Sequence, residues 1–478
     1  MGTVQSLNDG AAPPRLEVAF TGLKSAAERE PYPAEEVRRK WLAALESLLR
    51  DNASRIEMAI SDDFGHRSPH ETRLLELFPC LEGIRHAQGQ LRHWMRAERR
   101  PTGRWFHPGR SYVLPQPLGV LGILAPWNYP VFLAAGPLIC ALAAGNRALL
   151  KMSEFTPKTG ALFAELVAKY FDPAVIVVVN GDARVGQAFS ALPFDHLLFT
   201  GSTAVGHHVM RAAADNLTPV TLELGGKSPA IVAPDYAMDK AAERIAVGKT
   251  MNAGQTCIAP DYVLVPRGRE SDFVAAVGAT IDAIYPDLAV TPDYTHIINA
   301  RHFARLTGYV DEARAAGCEI LGLSSHMTEP DAATRRMPPL ALVNPSTELT
   351  VMRDEIFGPL LPVIGYDSVE QAVEFVNARP RPLALYYFDD DARRIGWVLR
   401  TTHAGGVTIN DTIMHIAQDE LPFGGVGASG MGSYHGKAGF NTFSKLKPVF
   451  HQSRLNGLGL FKPPYGRLFD RLISILMH

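Results

Sequence analysis

One cysteine of this 478-residue chain stands in a setting suited to nucleophilic chemistry. Cys257 follows a glycine-containing turn in the segment Asn252–Ile258 (NAGQTCI), where backbone N–H groups can point at a substrate oxygen. A thiolate is a strong nucleophile toward a carbonyl carbon, and local electrostatics set its availability. The alternative is a small buried hydrophobic side chain, the role that we predict for Cys80, Cys140 and Cys318.

Two polar residues upstream could assist such a nucleophile. Glu223 ends an apolar strand in Thr221–Lys227 (TLELGGK). Burial there would raise the pKa of its carboxyl until it could act as a base near neutral pH, although a solvated or salt-bridged Glu is the alternative. Asn128, in Ala125–Pro130 (APWNYP), could donate its amide to a developing oxyanion, or serve only as a turn residue.

A second group of residues has the character of a dinucleotide site. The segment Phe199–Gly206 (FTGSTAVG) places two glycines between an apolar strand and a helix, where a pyrophosphate can approach the backbone and the helix N-terminus. It lacks the GxGxxG spacing, and an ordinary N-capped turn is the alternative. Lys151 and Glu154 follow another strand and could reach ribose hydroxyls, or lie in a solvated loop.

Alternating strands and helices must position these residues. Amphipathic helices are predicted between Glu28 and Arg100, and βαβ units on a parallel sheet from Leu118 onward. A second alternating region runs from Ser228 to about Asn410. The sequence therefore predicts two α/β domains. The predicted strands are Leu118–Ala125, Ala148–Lys151, Val175–Val179, His196–Phe199, Val220–Leu222, Pro229–Val232, Tyr262–Val265 and Ala384–Phe388.

One uncharged run, Ser111–Asn146, is long enough to span a membrane. Its five prolines favour a buried strand, a loop and a buried helix instead. Before it, the Pro-, Gly- and aromatic-rich stretch Arg99–Gln116 indicates a hairpin or a crossing segment.

Both termini carry patterns that suggest a membrane. Met1–Ser6 fits the loose myristoylation pattern, for which we favour a mobile, unmodified N-terminus. Leu468–Leu476 has apolar residues at helical spacing and is too short to span a bilayer. We favour packing of this segment on the protein itself, with peripheral membrane contact as the alternative.

Composition favours a small-molecule function. Lys and Arg number 47 and Asp and Glu 49, so the chain offers no general attraction to nucleic acid or to an anionic membrane. The four cysteines are too scattered for a disulfide framework, and the histidines show no metal-ligand spacing. We expect a cytoplasmic protein without a metal.

The ordered motifs together resemble the aldehyde dehydrogenase superfamily. They are PWNYP, KMSE, GSTAVG, LELGGK, GQTC, EIFGP and LPFGG, spread over roughly Leu118 to Ser444. TPVTLELGGKSP and MNAGQTCIAPDYVLV are similar to the class 3 branch. WFHPGRSYVLPQPLGVLGILAPWNYP and the tail LNGLGLFKPPYG are most similar to coniferyl aldehyde dehydrogenases.

The resemblance implies a thioester mechanism. Cys257 would be the nucleophile, and its backbone N–H and the Asn128 amide would stabilise the alkoxide. Hydride transfer to the nicotinamide would leave a thioester. Glu223 would then activate the water that hydrolyses this thioester to a free acid.

The resemblance also implies the cofactor site. The pyrophosphate would lie between Gly201 and Gly206, the adenine ribose at Lys151 and Glu154, and the nicotinamide ribose at Glu355. Glu154 favours NAD, and Lys151 leaves NADP possible. The expected cofactor-binding residues are Trp127, Lys151, Glu154, Gly201, Ser202, Val205, Gly206, Leu224, Gly225, Glu355 and Phe357.

The implied fold is that of aldehyde dehydrogenases, α/β with a Rossmann-type cofactor domain, an α/β catalytic domain and a bridging oligomerisation arm. Such arms pair subunits, so we expect a homodimer. The expected ranges are 1–95 and 118–222 for the NAD(P)-binding domain, 223–412 for the catalytic domain, 96–117 and 413–447 for the arm, and 448–478 for the tail.

Substrate and activity leave alternatives open. Tyr129, His415 and Ile416 lie next to motifs that line the family's aldehyde tunnel, and an aromatic, uncharged pocket would suit coniferaldehyde or a medium- or long-chain aliphatic aldehyde. A non-catalytic binding protein on the same fold should have lost a catalytic group. A CoA-acylating enzyme would usually lack the carboxylate that Glu223 provides.

Overall fold

The computed structural model of the protein describes residues 13–477, so the Met1–Ser6 pattern lies outside the described residues. The described helices are α1 Pro13–Arg29, α2 Glu35–Asp51, α3 Ala53–Phe64, α4 Pro69–Thr72, α5 Phe78–Trp94, α6 Phe132–Ala144, α7 Pro157–Tyr170, α8 Ala183–Ser190, α9 Thr203–Ala214, α10 Met238–Thr250, α11 Glu270–Ile284, α12 Ala300–Ala315, α13 Thr350–Arg353, α14 Val369–Asn377, α15 Ala392–Thr401, α16 Gly436–Thr442 and α17 Arg467–Met477. The described strands are β1 Glu98–Arg100, β2 Arg110–Pro117, β3 Val120–Leu124, β4 Arg147–Lys151, β5 Ile176–Val179, β6 His196–Thr200, β7 Val220–Glu223, β8 Pro229–Val232, β9 Tyr262–Pro266, β10 Glu319–Gly322, β11 Leu340–Val343, β12 Leu360–Tyr366, β13 Ala384–Phe388, β14 Gly406–Ile409, β15 Gly430–Met431 and β16 Ser444–His451. All eight predicted strands are present.

The first α/β unit is a six-stranded sheet in the order β15-β7-β6-β3-β4-β5. Its five long strands are parallel, and the two-residue β15 pairs antiparallel with β7 at the edge. Helices α6 to α9 connect these strands, as βαβ units require. The carboxyl ends of β3, β6 and β7 therefore meet at one edge of the sheet, where ligands gather in such folds.

The second unit is a seven-stranded sheet in the order β10-β11-β12-β9-β8-β13-β14. All its pairs are parallel except β10 with β11. Strands β8, β9 and β13 consist almost wholly of buried apolar residues, because helices cover both faces of a parallel sheet. The expected α/β fold class is confirmed.

The uncharged run folds as predicted into a strand, a loop and a helix. Strand β3 is buried throughout, and helix α6 is buried from Leu133 to Ala144. Helix α6 contacts α2, α5 and α16, which surround it with protein. Among the described residues, no helix combines the length and apolar character needed to cross a bilayer.

A three-stranded antiparallel sheet projects from the first unit, in the order β1-β2-β16. The β1–β2 pair, with Arg100 opposite Ser111, is the hairpin that the sequence indicated. Strand β16 pairs along all of β2 and ends at His451, so the arm boundary expected at residue 447 falls inside this strand. Because β15 joins the cofactor-side sheet, the segment 413–447 is shared between the arm and that sheet, and the division into domains stays a prediction.

The C-terminal helix α17 packs only in part as expected. None of its described residues is buried, and Leu468 and Ile475 are 60% and 70% exposed. The ring of Phe469 contacts Phe461 and Tyr465 of the preceding segment. The predicted packing of this helix on the protein itself is therefore limited to the preceding segment, and Leu468 and Ile475 stay exposed.

Candidate active site

The loop between β3 and α6 carries Asn128 into the interior. Asn128 is 3% exposed, and its side-chain amide donates to the backbone oxygen of Gln255 over 3.2 Å. Its own backbone oxygen accepts from Arg67 Nη1 and from Asn252 Nδ2, both at 3.0 Å. These bonds join the Asn128 loop to the segment that leads into Cys257.

The backbone before Cys257 takes an unusual course. Asn252 and Ala253 have φ values of 52° and 51°, and Gly254 has a φ of 74°. Consecutive left-handed residues are costly, and they persist only where the surrounding structure holds them. Gln255 provides one such restraint, since its Nε2 donates to the backbone oxygen of His296 over 3.0 Å. This turn places Cys257 beside Asn128.

Cys257 remains partly accessible at the wall of a cavity. Burial raises the pKa of its thiol, and the nearby carboxylates of Glu355 and Glu223 raise it further. The backbone N–H groups of Cys257 and Ile258 act in the opposite direction, because they face the sulfur. The same N–H groups are available to an oxygen on a carbon bound to that sulfur.

Glu223 stands at the end of β7, opposite Thr200 of β6. It is 2% exposed, and both its carboxylate oxygens are buried without a hydrogen-bond partner. Burial alone raises the pKa of this carboxyl well above its usual value. A buried carboxylate with a raised pKa fits the predicted base better than the alternative of a salt-bridged Glu.

One cavity of about 220 Å³ unites these three residues with most of the expected cofactor site. Its lining includes the predicted residues Trp127, Asn128, Gly201, Ser202, Glu223, Leu224, Gly225, Cys257, Glu355 and Phe357. These come from five separate stretches of the chain. The fold therefore assembles at one place what the sequence spreads over more than two hundred positions.

The pyrophosphate end of the site has the expected backbone geometry. Ser202 caps α9, accepting from the backbone N–H of Val205 over 3.4 Å. A Cβ on Gly206 would come within 2.8 Å of Leu224, so glycine allows the helix to approach that strand end. Val205 itself is 47% exposed at the first turn of α9 and does not line the cavity.

Lys151 and Glu154 form an ion pair of 3.0 Å at the end of β4. The Lys151 side chain is 5% exposed and that of Glu154 is 38% exposed. Neither lines the 220 Å³ cavity, and both lie at the same edge of the sheet as its β3 and β6 walls. The ion pair does not decide between ribose binding and the solvated-loop alternative, so the cofactor role of the two residues stays a prediction.

The nicotinamide end holds a carboxylate with spare hydrogen-bonding capacity. Glu355 has a buried oxygen, Oε1, without a partner. Burial and the neighbouring Asp261 raise the pKa of Glu355 to about 8. Any Cβ at Gly225 would collide with this carboxylate, and the rings of Phe357 and Trp127 meet edge to face 5.3 Å apart. An unpartnered acceptor beside aromatic rings fits a ribose hydroxyl next to a nicotinamide.

Sequence reasoning missed three polar residues of this wall. Thr200, His302 and Arg305 line the cavity, and Thr200 Oγ1 and both ring nitrogens of His302 are buried without partners. Thr200 could have been found because it precedes the GSTAVG motif directly. His302 and Arg305 lie three residues apart on α12, in a segment without a recognised motif, so only the tertiary structure reveals them.

A second cavity, of about 420 Å³, lies next to the same loop and is mostly apolar. It is lined by Phe132, four residues after Asn128, and by Met251, six residues before Cys257. Its other apolar walls include Phe78, Trp94, Ile413 and Ile416. We take this cavity as the candidate aldehyde pocket.

Of the three residues predicted for the substrate pocket, only Ile416 lines this second cavity. The Tyr129 hydroxyl is bonded to Thr256 Oγ1 at 2.6 Å, which buries the ring behind the catalytic loops. His415 Nδ1 is bonded to Thr408 at 2.9 Å, and its ring stacks on Phe423. Neither Tyr129 nor His415 lines this second cavity, and their place in a substrate pocket stays a prediction.

The family profile described as "Aldehyde dehydrogenase family" matches residues 23–449. The chain belongs to the aldehyde dehydrogenase family. It is 52% identical over 459 residues to a probable coniferyl aldehyde dehydrogenase of Pseudomonas aeruginosa, covering 96% of this chain and 95% of that protein. It is also 41% identical to the rat aldehyde dehydrogenase family 3 member A2, covering 86% and 83% of the two chains. The predicted family and its class 3 and coniferyl branch are confirmed.

Solved aldehyde dehydrogenases share the fold. The substrate-bound state of Staphylococcus aureus AldH superposes with a TM-score of 0.91 at 37% identity, over 96% of this chain and 99% of that one. A Mycobacterium tuberculosis aldehyde dehydrogenase complexed with NAD+ gives 0.83 at 28% identity, over 94% and 92%. This aldehyde dehydrogenase therefore oxidises aldehydes with NAD(P). Within residues 13–477, no three His, Cys, Asp or Glu side chains come together as a metal site would require.

Proposed function

We propose that this aldehyde dehydrogenase oxidises an aromatic aldehyde of the coniferaldehyde type to its free acid, with NAD as the preferred cofactor. The observation that carries the proposal is the convergence of Cys257, Glu223 and Asn128 on one cavity. Each is suited to a different step of the reaction. A non-catalytic relative would be expected to lack at least one of the three, and this chain has them all.

The Cys257 thiol loses its proton to solvent water and adds as a thiolate to the aldehyde carbon. The oxygen that becomes an alkoxide then accepts from the Asn128 amide and from the backbone N–H of Cys257. The Asn128 amide already holds Gln255 with one N–H, so its second N–H is the donor for this oxygen. Such preorganised donors stabilise developing charge without reorientation.

With its nicotinamide half in the 220 Å³ cavity, NAD(P) would supply the acceptor for the hydride that the sulfur adduct on Cys257 must lose. Glu355 Oε1 and Thr200 Oγ1 are the unpartnered atoms available to hold its nicotinamide half. The N-terminus of α9 and Gly201 are available for its pyrophosphate.

Glu223 then takes a proton from water, which attacks the thioester carbonyl and releases the acid and the Cys257 thiolate. Its carboxylate is free for this task because neither oxygen is bonded to protein. The presence of this base argues against a CoA-acylating activity.

The apolar cavity and the relatives support an aromatic substrate. Aromatic side chains of Phe78, Trp94 and Phe132 line the cavity, and a planar phenylpropenal can pack against such rings. The Pseudomonas aeruginosa relative carries the name of a coniferyl aldehyde dehydrogenase. The competing substrate class is the medium- or long-chain aliphatic aldehydes.

The Lys151–Glu154 pair supports NAD over NADP. The half-exposed Glu154 carboxylate can accept from a free ribose 2′-hydroxyl and repels a 2′-phosphate, while Lys151 is already neutralised by Glu154. Replacing Glu154 with Gln should raise kcat/KM for NADP relative to NAD by about tenfold. An unchanged ratio would remove Glu154 from cofactor selection.

The proposal includes a homodimer in a reducing compartment such as the cytoplasm. The arm exposes Trp105, Phe106, Leu446 and Phe450, an apolar group that a second subunit would cover. All four cysteines are free thiols. Light scattering on purified protein should give a mass of twice 52.1 kDa. A mass of 52.1 kDa would contradict the dimer.

Substrate class is tested by NADH formation with the purified enzyme. We would compare kcat/KM for coniferaldehyde, benzaldehyde, hexanal and a long-chain aldehyde, and we expect coniferaldehyde to be preferred. A preference for the aliphatic series would instead assign a fatty aldehyde dehydrogenase. Absence of turnover with every aldehyde would favour a non-catalytic binding protein.

A further inference from the structure

A buried ion pair lies directly behind the Asn128 loop. Arg67 Nη1 donates to Glu76 Oε1 over 2.8 Å, and the side chains of both residues are fully buried. Glu76 belongs to a π-helical turn, Arg73–Leu77, between α4 and α5. A π-turn is rare in proteins and is frequently found at functional sites.

This pair holds the catalytic loop in its middle and at its C-terminal end. Arg67 Nη1 donates to the backbone oxygen of Asn128 over 3.0 Å. Glu76 Oε2 accepts from the backbone N–H groups of Val131 and Phe132, at 2.7 and 3.1 Å. The two charged groups therefore restrain the loop immediately at Asn128 and again at the start of α6.

Stability does not explain the pair well. A fully buried ion pair usually adds little net stability, because the desolvation of two charges offsets their attraction. Two guanidinium nitrogens of Arg67, Nε and Nη2, are also buried without a partner. The guanidinium instead lies over the rings of Phe64 and Tyr129, 5.2 and 4.8 Å from their centroids, which fix its plane. The remaining guanidinium nitrogen, Nη1, donates to the backbone oxygen of Asn128 in the loop.

We propose that Arg67, held by Glu76, is the positioning residue for the oxyanion donor: it fixes the backbone of Asn128 so that the side-chain amide faces the carbon bound to Cys257. Asn252 reinforces the arrangement from the other side. Its Nδ2 donates both to the Asn128 oxygen, at 3.0 Å, and to the Gln255 oxygen, at 3.1 Å. The side-chain amide of Asn128 donates to the same backbone oxygen of Gln255.

The test is a double-mutant cycle between Arg67→Lys and Asn128→Ala. Both bonds come from one nitrogen, Nη1, whose place is set by the guanidinium plane over the rings of Phe64 and Tyr129; lysine keeps the charge but is shorter and has no such plane. In the wild-type background we expect Arg67→Lys to lower kcat/KM for the aldehyde by about 10- to 100-fold, since small misplacements of catalytic groups have effects of this size. In the Asn128→Ala background the same change should cost less than about threefold, because the group that Arg67 positions is gone.

Arg38→Lys is the matched control. Arg38 is 1% exposed, has a buried Nη2 without a partner, and donates to the backbone oxygens of Pro33 and Ala143, outside both cavities. This variant should lose thermal stability as Arg67→Lys does, while kcat/KM stays within about twofold of wild type. NAD affinity should be unchanged in all variants.

The outcomes separate this inference from the proposed function on which it rests. If Asn128→Ala retains full activity, the oxyanion role of Asn128 fails and the positioning role fails with it. If Asn128→Ala is impaired and Arg67→Lys reduces activity by the same factor in both backgrounds, or not at all, only the positioning role is overturned. Should Arg67→Lys fail to fold, Glu76→Gln, which keeps the side-chain shape, takes its place in the cycle with the same expectations.

Discussion

The two cavities beside the Asn128 loop differ in the polar side chains that line them. The 220 Å³ cavity contains unpartnered buried polar atoms of Thr200, Glu223, His302 and Glu355. The 420 Å³ cavity is lined mainly by apolar groups, among them Trp94 and Ile416. Unsatisfied buried polar atoms are costly, and a protein retains them where a ligand or a reaction uses them. Under the proposed function, the chemistry is concentrated in the first cavity, and the second recognises the aldehyde.

Loss of the nucleophile Cys257 should have the largest effect on aldehyde oxidation. Cys257→Ala removes the only group that can form the thioester, so we expect aldehyde oxidation to fall by on the order of 10⁴-fold or more. NAD binding, followed by fluorescence, should persist because the other walls are intact. Cys318→Ala, which removes a free thiol elsewhere, serves as the control and should keep full activity. Substantial turnover by Cys257→Ala would refute the thioester mechanism.

Loss of the proposed base Glu223 should slow the hydrolysis of the thioester and leave its formation unaffected. With Glu223→Gln, a rapid first turnover of NADH should remain, because thiolate addition does not need the base. Steady-state turnover should then fall by about 10²- to 10³-fold, as expected for removal of general base catalysis. In the wild type, kcat should fall as pH drops through the raised pKa of Glu223, where the base becomes protonated. Stopped-flow and pH profiles measure both effects, and an unaltered steady state in Glu223→Gln would exclude Glu223 as the base.

A change in the apolar cavity should weaken the binding of the aldehyde without changing the binding of the cofactor. Ile416→Lys places a charge among apolar walls, so we expect kcat/KM for coniferaldehyde to fall by about 10- to 50-fold, mainly through KM. NAD affinity should not change. The control is Ile284→Lys, at a 41% exposed position that lines neither cavity. Equal kinetics in Ile416→Lys and wild type would place the aldehyde elsewhere.

The smallest expected effect concerns folding stability. Burial keeps Glu223 protonated in the folded protein over a pH range in which the unfolded chain has already lost that proton. Raising the pH across this range, upward from the ordinary Glu value, therefore favours unfolding. Glu223→Gln lacks this penalty, so its melting temperature should exceed that of wild type by about 1–3 °C, with the gain growing from pH 5 to pH 8.

Glu319→Gln at an exposed strand position provides the comparison for this last experiment. It should show no such growth with pH. A melting difference for Glu223→Gln that stays constant across pH would mean that the buried carboxylate does not titrate as inferred. Differential scanning fluorimetry without added cofactor is sufficient for both variants.

Local sequence was a good guide to the elements and to the reacting groups. Strands such as β3 and β13 were predictable because uninterrupted apolar runs indicate strands covered on both faces. Cys257 and Glu223 were predictable because each lies next to glycines at the end of an element. The pocket prediction for Tyr129 and His415 stays untested, because proximity to a motif does not fix the direction of a side chain. The Tyr129 hydroxyl is bonded to Thr256, 127 positions later in the chain, and His415 is bonded to Thr408, seven positions earlier. No motif marks either contact.

The amphipathic pattern of α17 shows the same limit of local sequence, which predicts an element but not what the element packs against. Apolar residues at helical spacing correctly predicted a helix at Arg467–Met477, because periodicity is a local property. What that helix packs against depends on surfaces elsewhere, and the body of the chain does not cover it.

The sequence by itself determined the family, the order of strands and helices, and the residue types that react, because these depend on local periodicity and on short motifs. Only the tertiary structure decided which polar groups are buried without partners and which charged pair stands behind the catalytic loop. Arg67 and Glu76 lie 61 and 52 positions before Asn128, with no spacing that marks them. Desolvation and hydrogen-bond direction arise from packing between distant segments, and these two quantities suit Glu223 to the proposed role of base and Asn128 to that of donor.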